Sequence, residues 1–429
     1  MSDQLRNDMR QERRASAMGW KRFAREAGFG EAYLRNVENG NRTVTIGVAS
    51  AYDRVLKTGG TFAAVLEAMS AMPKDVPWDQ PRGLTVLTGL LKGSSVDRRG
   101  VLSTGAALAA SAGSWSKALG SNSSTEGPVP LADGAALLSH VEDRLDHLRH
   151  FDDELGSGEL YQLARNELAL IMMLIKSHRY DSSGLAHLYS MASEAARQIA
   201  WAAFDQGAPG IAQRFFDGSL RASAEADDPI AGAYTLSFAA IQCYSTPGQA
   251  NRAVSLLETA QERVRWKATP RMHAMLAARI ARALSKSGAK KESAHQLAIA
   301  RSALDKGRHD DDPKSLYWVD YGEIEMIAGS AALQLGDPAE AVRRFEAAMH
   351  ASYPGDEAYP RSHAIYLARA AEAHLAMHDL DAAVAKAHHA VRCLGSVDSA
   401  RSATELEGLR VKLAAHTSYG PVREFLQDG

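Results

Sequence analysis

The sequence contains few cysteines and no long apolar run. Cys243 and Cys393 are the two cysteines among 429 residues. They lie far apart, each within an apolar helical stretch, so we expect buried reduced thiols rather than a disulfide framework. No run of about 18 consecutive apolar residues occurs, which predicts no membrane span. The polar opening SDQLRNDMRQERR lacks the apolar core of a signal peptide. We therefore expect a cytoplasmic protein.

Motifs for catalysis and cofactor binding are also missing from the sequence. It has no Walker-type glycine-rich loop and no dinucleotide fingerprint after a strand. His374 and His378 share a helical face, with Asp379 and the pair His388-His389 nearby, but the glutamate of a zinc-protease motif is absent. We interpret these histidines as surface or packing residues. The sequence predicts no enzyme, no cofactor and no metal site.

Charge is distributed unevenly along a chain of ordinary composition. A length of 429 residues with 45% hydrophobic residues fits a globular protein of two or three domains. Residues 1–60 contain 11 Lys or Arg against 7 Asp or Glu, whereas the whole chain has 49 against 51. A basic N-terminal segment on an acidic remainder suits a nucleic-acid contact confined to one end of the molecule.

The stretch 19–40, GWKRFAREAGFGEAYLRNVENG, has the pattern of two short helices joined by a tight turn. An apolar face at Phe23 and Ala24 precedes Gly28, which breaks the first helix. One face of the second helix is apolar and consists of Tyr33, Leu34 and Val37. Its other face carries polar or small side chains able to read base edges in a major groove, namely Glu31, Ala32, Arg35 and Asn36. A helical hairpin with an apolar seam is the alternative for this pattern.

These residues resemble the helix-turn-helix of Cro/lambda-repressor-type (Xre-family) regulators. The matches are Phe23-Ala24 for the family's Leu-Ala, Gly28-Phe29 for Gly-Val, Tyr33-Leu34 for the buried anchor, and Glu38-Asn39-Gly40 for Glu-x-Gly. Trp20 replaces the usual Gln, which touches a phosphate in that family. Gly30 replaces the usual N-cap Ser, a change that costs only a few tenths of a kcal/mol.

The resemblance implies contact with a double-stranded DNA operator. The expected DNA-binding residues are Trp20, Lys21, Gly30, Glu31, Ala32, Tyr33, Arg35, Asn36, Asn41 and Arg42. Of these, Asn41 and Arg42 follow the recognition helix, where a long cation can reach a phosphate oxygen. Because one helix-turn-helix reads only half a site, we also expect a homodimer.

The remaining N-terminal sequence predicts a five-helix domain and a linker. We expect residues 1–70 to form the helix-turn-helix domain, opening with a helix from about Asp3 to Ala17 that packs on it and including a helix at Ile46–Leu56. The phrase at 56–60, LKTGG, is similar to the end of this domain in actinobacterial regulators that also carry a repeat domain. Residues 71–130, rich in Pro and then in Ala, Ser and Gly, predict a linker that can contain a connector helix, with 111–130 mobile.

Residues 131–429 show helical periodicity throughout, arranged in repeated pairs. Small anchoring residues recur at steps of about 41 to 47 residues, at Ala212, Ala253, Ala294, Ala341 and Ala383. One unit resembles a tetratricopeptide repeat (TPR) at Gly329, Gly336, Ala341, Phe345 and Ala348. Small residues let paired helices approach and Phe345 fills the gap to the next unit, so we predict a TPR-like solenoid of about six hairpins.

The first helix of each pair should line the concave side of this solenoid. Counting back from the anchors predicts effector contacts at Arg197, Trp201, Phe204, Phe238, Gln242, Arg279 and Glu323. Such a mixture of aromatic, charged and amide side chains suits a peptide or a small molecule. A solvated polar face without a partner is the alternative for these residues.

The sequence as a whole predicts an all-α protein with an N-terminal helix-turn-helix domain and a C-terminal TPR-like solenoid for sensing and dimerisation. This layout is similar to helix-turn-helix/TPR peptide-pheromone receptors of quorum sensing. We predict a DNA-binding transcriptional regulator controlled by a small molecule or peptide in the solenoid. The alternative is a helical protein–protein interaction scaffold, or an anti-regulator, without direct DNA binding.

Overall fold

The computed structural model describes residues 2–16, 18–40, 42, 44–58, 62, 78, 82–92, 101–120, 134–351, 353–355, 358–395, 397 and 399–427. Within these ranges the chain forms twenty α-helices and no β-strand, which confirms the all-α prediction. The N-terminal helices are α1 (Ser2–Ala15), α2 (Trp20–Ala27), α3 (Glu31–Glu38), α4 (Ile46–Leu56), α5 (Gly83–Lys92) and α6 (Val101–Ala118). The others are α7 (Gly134–Leu155), α8 (Ser157–Lys176), α9 (Ser182–Asp205), α10 (Pro209–Glu225), α11 (Pro229–Tyr244), α12 (Ala250–Val264), α13 (Pro270–Lys286), α14 (Lys290–Leu304), α15 (Tyr321–Gln334), α16 (Pro338–His350), α17 (Pro360–Ala376), α18 (Leu380–Leu394), α19 (Ala400–Leu413) and α20 (Gly420–Gln427).

Among the described helices, none combines the length and the apolar character that crossing a bilayer would require.

Helices α1 to α4 surround a small core of their own. Its centre is formed by fully buried side chains that include Met9, Phe23, Leu34, Val37 and Tyr52. The opening helix packs on α3 and α4, as its apolar face predicted. A fifth helix, expected before residue 70, would follow α4, where most residues lie outside the described ranges.

Helices α5 and α6 lie within residues 71–130, where the sequence predicts a linker that can contain a connector helix. Leu87 and Trp115 are buried in the same core as the hairpins that follow, and α6 packs on α10 and α12. Two glycines make room for them, since a Cβ on Gly218 would lie 2.6 Å from Leu87 and one on Gly232 would lie 2.3 Å from Trp115. Residues 83–92 and 108–118 therefore pack closely on the hairpins, while residues 121–130 lie outside the described ranges.

From α9 onward, consecutive helices pair as antiparallel hairpins that stack side by side. The pairs are α9/α10, α11/α12, α13/α14, α15/α16 and α17/α18. Helices α7 and α8 precede them, α19 packs on α17, and α20 packs on α18. Four of the five predicted anchors are fully buried, at Ala212, Ala253, Ala341 and Ala383. The third prediction was displaced by one residue, because Ala294 is exposed and Ser293 is buried, donating its hydroxyl to Ala281 O at 2.9 Å.

The predicted contact between small and aromatic residues is present in the hairpin α15/α16. A Cβ on Gly329 would lie 2.7 Å from the Phe345 ring, so the glycine is what allows that ring to pack between the helices. Helical hairpins stacked through such contacts give the solenoid-like arrangement that the repeats predicted.

The stack curves until an early helix contacts a late one. Arg361 at the start of α17 donates to both carboxylate oxygens of Asp152 on α7, at 2.6 and 2.7 Å, across 209 positions of sequence. Asp205, at the end of α9, similarly accepts from Arg401 on α19 at 3.2 Å. These contacts close the concave side into a groove lined by the first helices of successive hairpins.

Candidate functional site

The turn between α2 and α3 is set by two glycines. Gly28 ends α2 with a φ of 76°, in the left-handed region, and its N–H bonds back to Ala24 O and Arg25 O. Gly30 precedes α3 in an extended conformation and contributes no side-chain cap. The turn is therefore built by backbone geometry, and two short helices flank it, as the sequence predicted.

A buried carboxylate fixes the C-terminal end of α3. Glu38 is 4% exposed and accepts from Arg13 Nε at 2.7 Å and from Arg13 Nη2 at 3.0 Å. The Tyr52 hydroxyl donates to the same carboxylate at 2.9 Å. Desolvation and this carboxylate together raise the pKa of Tyr52, so its hydroxyl remains a donor. Glu38 thus ties α3 to both α1 and α4, and a neutral residue here would leave Arg13 buried without its partner.

The outward face of α3 carries the side chains that sequence analysis assigned to DNA. Ala32, Arg35 and Asn36 are exposed, and Glu31 and Tyr33 are half-buried. Arg35 Nη2 pairs with Glu31 Oε1 at 2.8 Å, one helical turn away on the same face. In this arrangement the guanidinium is held along the helix, and an exposed pair of this kind is weak enough to be exchanged for another anion.

Trp20, which replaces a phosphate-contacting residue in the resemblance, packs against two arginine side chains. The half-buried ring lies beneath the Arg13 guanidinium, 3.7 Å from its centroid, with Arg35 at 5.0 Å on α3. Trp20 therefore supports Arg35 rather than projecting freely. Lys21, Gly30 and Arg42 are exposed, the last with its guanidinium 5.8 Å from the Tyr33 ring. Asn41 lies outside the described residues.

The groove of the hairpin stack contains a wide cavity. It has a volume of about 660 Å³ and is lined by α9, α11, α13, α15, α17 and α19. A narrower pocket of about 90 Å³ shares Trp201, Arg279 and Glu323 with it. A third space of about 510 Å³ shares Arg282, Ser330, Arg369 and Glu405. Because the three spaces share these residues, they form one groove. The narrow pocket is its aromatic end, and the third space is its basic end.

At the aromatic end, cations lie between rings and carboxylates. Arg197 is 3% exposed, pairs with Glu194 at 2.7 Å and lies 4.4 Å from the Phe238 ring centroid. The Trp201 ring meets Phe238 edge-on at 4.9 Å and donates its indole N–H to Asp152 at 3.0 Å. Burial disfavours the charged form of Glu194, but Arg197 and a second arginine outweigh it and hold its pKa well below the usual range.

Arg279 and Glu323 stand where the aromatic pocket opens into the large cavity. The Arg279 Nη1 has the Tyr244 hydroxyl at 3.5 Å, and its Nε is buried without a hydrogen-bond partner. Glu323 is 9% exposed and accepts from the Tyr366 hydroxyl at 2.6 Å. Burial raises the pKa of Glu323 to about 7, so this carboxyl group changes charge near neutral pH.

At the basic end, positive charges on α13 and α17 lie close together. Arg282 is 5% exposed, and its Nη1 donates to Ser285 of its own helix at 3.1 Å. Burial and the neighbouring Arg369 lower the pKa of Arg282 to about 10. Burial and these two guanidinium groups lower the pKa of Lys286 to about 8. Arg369 itself pairs with Glu405 at 2.6 Å.

The seven residues predicted to contact an effector fall into three groups. Trp201, Phe204, Arg279 and Glu323 line the large cavity. Arg197 and Phe238 line the small aromatic pocket. Gln242 is 1% exposed and donates to Pro209 O at 3.0 Å, so it supports the wall from behind.

Sequence reasoning missed several polar residues of the groove, namely Arg282, Tyr366, Arg369, Arg401 and Glu405. Arg282 follows Arg279 by three residues, a spacing that places both on one helical face and could have identified it. The last four lie on α17 and α19, which reach the groove only because the stack curves back toward α7 and α9.

The histidines considered for a metal are dispersed in the structure. His374 Nδ1 lies 3.1 Å from an Asp379 carboxylate oxygen, and the His388 ring packs on Phe425 at 5.0 Å. One of them, His389, instead lies near His363 and Cys393, and these three side chains bring their donor atoms within 4.8 Å of one another. Two imidazoles and a thiol are ligands that zinc accepts, although a structural zinc site ordinarily has four.

Comparison with protein-family models gives no match to this chain, and comparison with curated protein sequences gives none either.

Proposed function

We propose that this protein is a DNA-binding transcriptional regulator whose DNA affinity is controlled by a ligand in the groove of its hairpin stack. The observation that carries the proposal is the build of α3: a buried face held by Glu38, and an outward face bearing Ala32, Arg35 and Asn36. A helix fixed from behind and polar in front is what insertion into a major groove requires. The resemblance to Cro/lambda-repressor-type regulators supports the same function.

The basic character of the N-terminal segment supports a contact with phosphates. Lys21, Arg22 and Arg25 are exposed on α2, the helix that packs on α3. Cations flanking a reading helix would position it on the backbone, while Arg35 and Asn36 would contact base edges. Because a single unit covers only a few base pairs, we further propose that a homodimer binds two half-sites one helical turn apart.

Control by a ligand is supported by the groove. Its cavity of about 660 Å³ lies within the size range of small-molecule sites and combines aromatic side chains with polar groups. A solenoid can change its curvature by small rotations at each hairpin interface, so a ligand that prefers one curvature shifts the population toward it. In a dimer, such a shift would change the distance between the two reading helices.

The proposal is tested by selecting binding sites from a random duplex library with the full-length protein. We expect enrichment of a sequence with two-fold symmetry, and binding that weakens as salt concentration rises. Arg35→Ala should weaken binding to the selected site by about 1–3 kcal/mol without lowering the melting temperature. The matched control is Arg343→Ala, since Arg343 forms a similar exposed pair with Glu340 on α16.

Two results would argue against this function. If no duplex is enriched at low salt, the scaffold or anti-regulator function becomes the better explanation. If a site is enriched but Arg35→Ala and Arg343→Ala bind it equally well, α3 is not the reading helix.

A further inference from the structure

We propose that the groove binds a small organic anion whose carboxylate or phosphate group contacts Arg279 and Arg282 and whose apolar body packs toward Trp201. This anion would be the effector of the regulator proposed above, so its role as effector rests on that function. Its binding does not depend on DNA and can be measured separately.

The first support is that the acidic groups of the groove are already engaged. Glu405 pairs with Arg369 at 2.6 Å and Glu372 with Lys412 at 2.6 Å. Asp205 accepts from Arg401 at 3.2 Å. Glu323 accepts from the Tyr366 hydroxyl, and its pKa of about 7 leaves it partly neutral. The carboxylates that line the groove therefore form their hydrogen bonds and ion pairs with residues outside α13.

The second support is the set of cationic side chains on α13. Arg279, Arg282 and Lys286 are spaced three and four residues apart and so share one face of the helix, toward the groove. Within the described ranges, neither Arg279 nor Arg282 forms an ion pair, and the Arg279 Nε is buried without an acceptor. Buried cations without a hydrogen-bonded carboxylate are unfavourable, and an anion bound between them would reduce that penalty.

The third support is the shape of the cavity around this charge. From Arg282 the groove continues into the polar space near Lys286, and from Arg279 it continues toward the aromatic pocket at Trp201 and Phe238. The wall between the two ends is apolar and consists of Phe204, Ile241, Ile327 and Ile365. A ligand with a charged head and an apolar body would match both ends at once, whereas a bare anion would leave the apolar wall uncovered.

The experiment uses four probes of known chemistry with the full-length protein. Phenylbutyrate and phenyl phosphate carry the two kinds of anionic head, phenylbutanol lacks the charge, and inorganic phosphate lacks the apolar body. Binding is measured by calorimetric titration and by the shift in melting temperature. We expect both aromatic anions to bind more tightly than the alcohol and inorganic phosphate, and the stronger of the two identifies the preferred head group.

Two variants assign the binding to α13. Arg282→Gln should weaken the binding of the better anion by about tenfold or more, because it removes charge-assisted hydrogen bonds. Arg271→Gln is the matched control, since Arg271 lies on the same helix but faces Asp312 at 3.5 Å, away from the groove. The control should bind the anion as the wild type does.

Three outcomes would overturn the proposal. These are equal binding of phenylbutanol and phenylbutyrate, an Arg282→Gln variant that binds as tightly as the wild type, and the absence of binding by every probe. Anion binding that requires Arg282 but leaves DNA affinity unchanged would sustain the ligand site and reject its role as effector. Failure of the Arg35 test would reject DNA reading while leaving the anion measurements intact.

Discussion

Arginines occupy both ends of the groove, but their partners differ. At the end formed by α7, α9, α17 and α19, each buried guanidinium has a carboxylate, as in Arg361 with Asp152 and Arg401 with Asp205. On α13, Arg279 and Arg282 form no ion pair within the described residues. The arginines of one groove therefore fall into two groups, those with a carboxylate partner and those without one.

The end of the groove formed by α7, α9, α17 and α19, called the paired end below, maintains the curvature of the stack. Asp152 and Arg361 are 209 positions apart, so their hydrogen bonds form only when the early and late hairpins meet. Burial opposes charge on Asp152, but Arg361 outweighs it and lowers the pKa of the carboxyl group. Arg279 and Arg282 on α13 form no such closing contact, and their charge is available to a ligand. We infer that closure and ligand binding use neighbouring but distinct arginines.

The largest effect is expected when the paired end is broken. Arg361→Ala leaves Asp152 buried without its cation, whereas Asp205 keeps Arg401, so we expect the free energy of unfolding to fall by about 3–5 kcal/mol. Urea denaturation followed by circular dichroism measures this loss. Arg343→Ala, which removes an exposed ion pair, should change stability by less than about 1 kcal/mol. Equal losses in the two variants would show that the closure contributes no stability.

Much of the hairpin arrangement could be predicted from sequence because it depends on local periodicity. Buried anchors at Ala212, Ala253, Ala341 and Ala383 follow from helical spacing, and so does the contact of Gly329 with Phe345. Ala294 was assigned one residue away from Ser293 because both are small, and only the contact with α13 distinguishes them.

The charge pairing of the groove could not be predicted, because it joins residues far apart in sequence. Nothing near Arg361 indicates that its partner is Asp152, and nothing near Trp115 indicates that it packs on Gly232. The seven predicted contacts came from counting along the first helices, which placed Arg279 in the groove but did not reveal that its cation is unpaired. That distinction depends on the curvature of the whole stack.

A smaller effect is expected from the carboxyl group between the two ends. The pKa of Glu323 is raised from 4.5 to about 7 in the folded chain, so the folded state retains a proton that the unfolded state releases. Stability should therefore fall as pH rises from about 5 to about 8, by on the order of 2 kcal/mol from this group. Glu323→Gln should flatten this decline in urea denaturation series. The part that remains is expected from Asp153, whose pKa burial also raises to about 7.

An unchanged decline in the Glu323→Gln variant would assign the pH dependence to other groups. The Asp153→Asn variant then tests the second carboxyl group, which accepts from the Tyr317 hydroxyl at the aromatic end. If neither substitution alters the slope, the two raised pKa values do not govern stability near neutral pH.

The smallest effect on stability, and the only expected gain among these predictions, concerns Arg282 on α13. Arg282→Met removes a buried cation that has no carboxylate and lies near Arg369, so the ligand-free protein should become more stable by about 1 kcal/mol. Arg401→Met is the matched control, because Arg401 lines the same groove but pairs with Asp205 and should lose stability when replaced. Thermal and urea denaturation of the two variants without added ligand measure the difference. If both variants lose stability equally, Arg282 is a structural residue like Arg401, and the two ends of the groove do not differ in the way their charges imply.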